Sequence, residues 1–162
     1  MKKAIRVLFI GAGAGYLAGQ VMDKATTWYY DRQSDASKQR EQELLPEGAP
    51  LASARKLAGL VGAEPTDKQL GTIALVTHQS LGQLYGVVAA ALTRRGIPPM
   101  TAGVASGMGG FLLVDELANS LFFTPPPQAY PVESHLRGLV GHLTFGAATG
   151  ALLALARRLR LL

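Results

Sequence analysis

Four stretches of the chain are apolar and free of formal charge: between Arg6 and Asp23, Lys68 and Arg94, Arg95 and Asp115, and Arg137 and Arg157. A helix needs about 20 such residues to cross hydrocarbon, so the pattern predicts membrane helices over 4–30, 67–94, 99–123 and 134–160. Local signals set their ends. Lys2, Lys3 and Arg6 open the first, and Trp28, Tyr29 and Tyr30 close it as an aromatic belt of the kind found at lipid–water boundaries. Thr66 with Gln69 three residues on forms a capping box ahead of the second, which ends at Arg94, Arg95 and Gly96. Pro98 and Pro99 open the third, and Thr124 followed by Pro125, Pro126 and Pro127 stops it. Glu133 and Ser134 begin the fourth, which finishes with Arg157, Arg158 and Arg160.

Within these stretches the small and polar positions repeat. From Thr72 to Arg95, His78, Gly82 and Gly86 stand at four-residue intervals before Arg94 and Arg95; from Gly141 to Arg158 the order returns as His142, Gly146 and Gly150 before Arg157 and Arg158. The first helix carries Gly11, Gly15 and Gly19 leading to Asp23, and the third carries Gly103 and Gly107, then Phe111 and Asp115. Residues four apart share a helix face, and small residues there let helices approach closely in lipid. The expected fold is therefore all-α: an integral-membrane four-helix bundle of two duplicated hairpins, forming one membrane domain over 1–162.

A long polar connection, 31–66, separates the first two helices. Gln33 to Leu45 favours helix, Pro46 to Pro50 breaks it, and Leu51, Ala54, Leu57, Ala58 and Val61 then share one face. That face either lies on the membrane or bundle, or belongs to a solvated loop with helical pieces. Its basic residues (Arg32, Lys38, Arg40, Arg55, Lys56, Lys68, with Lys24 just before) are balanced by as many acidic ones. Both termini and the Arg94/Arg95 turn are basic, while 124–134 holds no lysine or arginine. The bias of lysine and arginine toward the inside then puts both termini in the cytoplasm and the long connection outside.

Composition agrees, with 48% apolar residues, 19 glycines and 17% charged residues, an unusual balance for a soluble domain. The net charge of +5 does not point to nucleic acid, because no basic stripe with interleaved aromatics accompanies it. The absence of cysteine excludes disulfides, thiol catalysis and thiolate metal sites. A cleaved signal peptide is the competing reading of the basic, apolar start, and the repeated glycine pattern argues against it. Gly13, Gly15 and Ala18 satisfy a dinucleotide-binding G-x-G-x-x-A, but the strand–helix–strand unit it needs is missing. Ser80 and Ser120 lie near polar residues, yet no G-x-S-x-G or H-E-x-x-H occurs, so no enzyme is expected.

Candidate chemistry gathers at one depth. With a rise of about 1.5 Å per helical residue, Asp23 lies roughly 25 Å from the level of Arg6, His78 roughly 24 Å from Arg94, Asp115 roughly 24 Å from Pro99, and His142 roughly 22 Å from Arg157. Glu116, Asn119, Gln79 and Gln83 are close by. Ionisable residues at membrane depth are costly and usually face the bundle interior. In one reading each histidine simply donates to the neighbouring aspartate and joins the helices. In the others, His78, His142, Asp23 and Asp115 form a proton or ion site, the histidines bind zinc, copper or iron with carboxylate help, or they hold a haem above the glycines. Below this level the helices offer mainly Gly, Ala, Leu and Val, with Gln20, Thr101 and Ser106 isolated, which opposes conduction through the bundle. Adjacent positions on a helix are about 100° apart, so Asp115 and Glu116 do not both face one centre.

The segment from His78 to Arg158 resembles the YagU-like family of bacterial inner-membrane proteins. The resemblance rests on the His78 helix with Tyr85-Gly86, the Thr124-Pro125-Pro126 turn followed by Pro131, and Gly141-His142-Leu143 with Phe145-Gly146. It covers about half of the chain, and the long charged connection departs from it. The resemblance implies a multi-pass place in the inner membrane and nothing about chemistry. The role expected is structural or accessory, within a larger membrane assembly of other subunits or of further copies of the chain. A small transporter or sensor is the alternative.

Overall fold

The structure, a computed structural model, describes residues 2–162, with side chains for 4–118 and 121–162. The side chains of Lys2, Lys3, Asn119 and Ser120, part of the basic start and of the polar level, lie outside the described ones. The order is α1 (Lys2–Arg32), α2 (Asp35–Leu44), α3 (Ala49–Leu60), α4 (Asp67–Arg94) and α5 (Pro99–Gly110), then a π segment (Phe111–Asn119), α6 (Ser120–Phe122), a 3-10 turn (Pro127–Ala129) and α7 (Val132–Arg158). Among the described residues the chain is all-helical.

The capping box appears as expected, with Thr66 accepting from the Gln69 backbone and the Gln69 side chain returning to Thr66. Gly96, at φ 100°, takes the left-handed conformation that turns the chain after α4. Two helices, α1 and α7, are long and apolar enough to cross a membrane by length and composition. The sequence pattern gives four such spans, and the other two differ for visible reasons. His78, Gln79 and Gln83 lower the hydropathy of α4, whose length is 28 residues. The run from Pro99 is divided among segments of 12, 9 and 3 residues.

The long elements pack as neighbours: α1 along α4, α5 along α7, α1 on α7 and α4 on α5. Glycine sets the closeness of the first two contacts. A Cβ on Gly86 would stand 2.6 Å from Gly15 Cα, and one on Gly103 2.6 Å from the Gly150 nitrogen, so the backbones themselves are in contact. The rest of the interior is mostly alanine, with Ala18, Ala89, Ala90 and Ala102 fully buried beside Phe145 and Leu153. Across α4 and α5, Ser106 donates to the Tyr85 carbonyl at 2.6 Å.

The connection folds onto one end of this core. The apolar face of α3 packs on α4 and buries Ala54 and Ala58, while Val61, at its end, is exposed. A polar latch ties α2 to α7. Arg137 makes a two-pronged contact with Glu41 (Nη1 to Oε1 3.1 Å, Nη2 to Oε2 2.8 Å) and donates to Gln33 at 2.8 Å. Ser134 donates to Glu41 at 2.6 Å, and the Gln33 amide reaches Ser37 and Glu41. Glu133 accepts from the Ser34 backbone at 2.7 Å, so the start of α2 is held by the first turn of α7.

Candidate functional site

The polar residues expected at one level form two separate clasps, each within one pair of packed helices. His78 Nε2 lies 3.0 Å from Asp23 Oδ1, joining α4 to α1; His142 Nε2 lies 3.1 Å from Asp115 Oδ2, joining α7 to the π segment. A neutral imidazole is enough for either bond, with Nε2–H donating and the carboxylate accepting. The clasps differ in access. The His78 side chain is 43% exposed and the His142 side chain 12%, the latter covered by Phe111, whose ring centroid is 5.9 Å away.

A small chamber of about 90 Å³ lies between the clasps, with His78, Asp115 and His142 on its polar side and Gly19, Tyr85 and Phe145 among its other walls. It has room for a few water molecules. His78 and Asp115 also line a larger vestibule of about 540 Å³, bounded by α3, α4, the π segment, the 124–130 loop and the first turns of α7. The chamber ends in apolar packing: Phe145 is buried, Gln20 and Thr101 are exposed on the outer surface, and Ser106 is engaged by Tyr85.

The π segment accounts for the acidic pair. Its i→i+5 turns are wider than α turns and often mark functional positions. Asp115 and Glu116 both reach α7, but at levels two turns apart: Asp115 meets His142, and Glu116 Oε1 lies 2.7 Å from His135 Nδ1. His135 is a site residue that the repeat did not reveal. Its Nε2 faces the Pro127 carbonyl at 3.0 Å. That oxygen only accepts, so Nε2 carries a proton, and a second proton sits between Nδ1 and Glu116. Wherever that proton resides, the pair holds two protons and no net charge.

The latch borders the vestibule through Arg137 and Ser134. Burial pushes the Glu41 carboxyl up, but hydrogen bonds from Arg137, Ser134 and Gln33, with the Arg137 charge, outweigh it and hold the carboxyl below its ordinary value.

The geometry separates the ligand readings. Among the described residues no group of three histidine, aspartate or glutamate side chains converges on a point. Each clasp offers one imidazole and one carboxylate, short of the three or four protein ligands of a zinc site. Haem does not fit. The glycines below each histidine contact neighbouring backbone, and about 90 Å³ between the histidines is far less than the roughly 300–1,000 Å³ of pockets for drug-sized ligands.

Most of the expected packing glycines do approach a neighbouring helix: Gly11, Gly15, Gly86, Gly103, Gly107, Gly146 and Gly150 closely, and Gly82 at ordinary contact distance. Gly19 departs from the pattern. A Cβ there would meet only Gln79 Oε1, at 4.0 Å, because Gly19 faces the chamber and not a backbone. Gly141 makes a close approach outside the four-residue series, with Thr26 Cγ2 2.5 Å from where its Cβ would be.

No family model, curated protein or solved structure matches the chain.

Proposed function

We propose that the chain is a multi-pass protein of the bacterial inner membrane, a four-helix bundle of two duplicated hairpins, with a structural or accessory role in a larger membrane assembly. One observation carries this reading: glycine backbone contacts lie beneath a histidine–aspartate clasp in both hairpins. In the first, Gly86 meets Gly15 below His78–Asp23; in the second, Gly103 meets Gly150 below His142–Asp115. Close glycine contacts and interhelical polar bonds are how helices associate where lipid supplies no hydrophobic drive. Phe9, Leu17, Leu75, Leu84, Leu112 and Leu155 are exposed along the helices, which suits a lipid or subunit surface. The resemblance of 78–158 to YagU-like proteins supports the same location.

Topology is testable directly, because a chain without cysteine accepts single reporters. In intact cells, cysteines replacing Gln39 and Gln128 should react with a membrane-impermeant maleimide, and those replacing Arg95 and Leu161 should react only after lysis. Labelling of all four in intact cells would overturn the arrangement. For the accessory role, the expected outcome after mild solubilisation is migration as one defined complex larger than the chain. Migration as a single chain would overturn it.

A sensor or transporter is the second reading, favoured by the chamber between the clasps, which shares His78 and Asp115 with the vestibule. Its metal and haem forms lack the donors and the room, so a proton or a small cation is the form the geometry retains.

A further inference from the structure

Charge is divided unevenly between the two ends of the bundle. Where α1 begins and α4 and α7 finish, Arg6, Arg94, Arg95, Arg157, Arg158 and Arg160 are all exposed. Among the described residues none of the six makes an ion pair. All 11 acidic residues of the chain lie within 23–67 or 115–133, toward the other end. Bases there have carboxylates beside them, as Arg55 has Glu47 at 3.0 Å and Arg137 has Glu41 at 2.8 Å. The arginine end therefore carries positive charge that nothing in the fold balances.

Packing sets these arginines along one side of that end. α1 lies against both α4 and α7, and just inside the arginines Val7, Ala89, Ala90 and Leu153 form one buried cluster. α5 starts at the same end with Pro99 and carries no charge, so the bases form an arc over α4, α1 and α7. Arg160 extends the arc from a strained position. It has φ 58°, the left-handed conformation that glycine ordinarily supplies at a helix end, as Gly96 does after α4. The Leu161 N–H donates to the Ala156 carbonyl at 2.9 Å, and Leu162 packs back on the buried cluster. Residues other than glycine are costly to hold in this conformation, and such residues gather at functional positions. Beside the arc the outer surface is apolar: Ile5, Leu8 and Phe9 are exposed on α1, Val88 on α4 and Leu155 on α7. At about 1.5 Å per residue, Phe9 is roughly 5 Å from Arg6 along the axis and Val88 roughly 9 Å from Arg94.

We infer that this arc is a docking surface for anionic phospholipid, with the arginines meeting the phosphate of the head and the adjoining apolar residues meeting its chains. The inference rests on the membrane reading above. A guanidinium presents paired N–H donors that match phosphate oxygens, and it is more weakly hydrated than an ammonium. A zwitterionic lipid offers the same phosphate already balanced by its own ammonium, so the surface selects for net negative charge. A free phosphate ion would meet the bases and leave the apolar surface beside them uncovered.

The test uses the full chain, purified in mild detergent and stripped of lipid, with native mass spectrometry reading retention of phosphatidylglycerol and phosphatidylethanolamine of identical chains. Phosphatidylglycerol is expected to bind more tightly by about fivefold for each arginine its head engages, the scale for one base near an anionic surface. Replacing Arg94, Arg95, Arg157 and Arg158 together by glutamine should abolish the preference. Arg40→Gln with Arg55→Gln, at the other end, should leave it unchanged. Equal binding of the two lipids by the wild-type chain, or a preference that survives the four substitutions, overturns the inference. If the fourfold variant does not fold, competition on the wild-type chain decides. Unlabelled phosphatidylglycerol should displace the bound lipid, and inorganic phosphate at the same concentration should not; equal displacement by the two overturns the inference. Failure of the membrane reading looks different: alkaline carbonate would release the chain from vesicles of every composition, those of phosphatidylglycerol included.

Discussion

Substituting alanine for glycine adds the same single carbon at every position, so its effect isolates what each glycine faces. At Gly86 the new Cβ would stand 2.6 Å from Gly15 Cα and 2.7 Å from the Gly15 nitrogen. Carbon–carbon contacts are favourable at about 3.5–4.0 Å, so α1 and α4 must part by roughly 1 Å along their contact. Overpacking of this kind costs about 1–3 kcal/mol. At Gly13, on the exposed side of α1 away from the Gly11–Gly15 face and with nothing within 4 Å, the substitution removes only a flexible residue from a helix and should stabilise by up to about 1 kcal/mol. Two chemically identical changes should therefore differ by about 1–4 kcal/mol.

The second hairpin repeats the experiment with one informative difference. Gly150→Ala should cost about as much as Gly86→Ala, because its Cβ would lie 2.8 Å from Met100 Cα. Gly82 and Gly146 occupy matching places in the two series yet do not match in space. A Cβ on Gly82 would meet the Gly15 carbonyl at 3.4 Å, an ordinary contact, whereas one on Gly146 would meet Val104 Cα at 2.8 Å. Gly82→Ala should be near neutral and Gly146→Ala destabilising. Thermal unfolding in one detergent, followed by far-UV circular dichroism, reads all five variants, with about 2–4 °C expected per kcal/mol for a chain of this size. Indistinguishable midpoints for Gly13→Ala and Gly86→Ala, or for Gly82→Ala and Gly146→Ala, would refute the packing argument.

The clasps should respond unequally to loss of the histidine. His142→Gln, at the covered clasp, should lower stability by about 0.6–1.7 kcal/mol, the range for polar bonds between membrane helices, and His78→Gln by less; equal losses would contradict the difference in access. The two substitutions together should leave assembly into a larger complex intact if the clasps are joints, which native gel migration reads. His135→Leu removes the hydrogen bonds to both Glu116 and the Pro127 carbonyl and should cost about 1–3 kcal/mol while making the 124–131 loop more sensitive to protease; an unchanged cleavage rate would count against that anchorage. The latch should be sensitive to acid, because the folded Glu41 carboxyl is held below its unfolded value. Its contribution is complete above about pH 4.3, the ordinary glutamate value, and is lost as pH falls through the lower folded value. The single tryptophan, Trp28, lies in the last turns of α1, on the same helix as Tyr30, whose ring packs on Arg137 of the latch; it should report the change, and Glu41→Gln should abolish that acid transition.

What the sequence revealed and what it hid follow from the range of the interactions involved. Charges and prolines mark the ends of the apolar runs, and a capping box is complete within four residues, so the Asp67–Arg94 helix is visible locally. The rise per residue is uniform enough along a helix for Asp23 and His78, 55 residues apart in sequence, to be placed at one level. Uniform rise also implies regular α geometry, and there the estimate parts from the structure. Phe111–Asn119 winds as π and carries Asp115 and Glu116 to His142 and His135 of α7, partners that nothing within those nine residues names. His135 precedes His142 by two turns on the same helix, a spacing the sequence shows, but it lies outside the repeated histidine–glycine series. The Glu41–Arg137 latch joins residues 96 apart and has no local signature. Glycine spacing likewise names a face without naming what covers it, which is why Gly19 lines a cavity where Gly15 meets a backbone. On the reading of two duplicated hairpins, these hidden features share one origin. The copies supply the glycine contacts and the clasps, while the inserted α2 and α3 and the π segment break their equivalence at one end. The vestibule lies where the two copies cease to match, so its wall joins the clasp residues Asp23, His78 and Asp115 to the unduplicated His135 and Arg137.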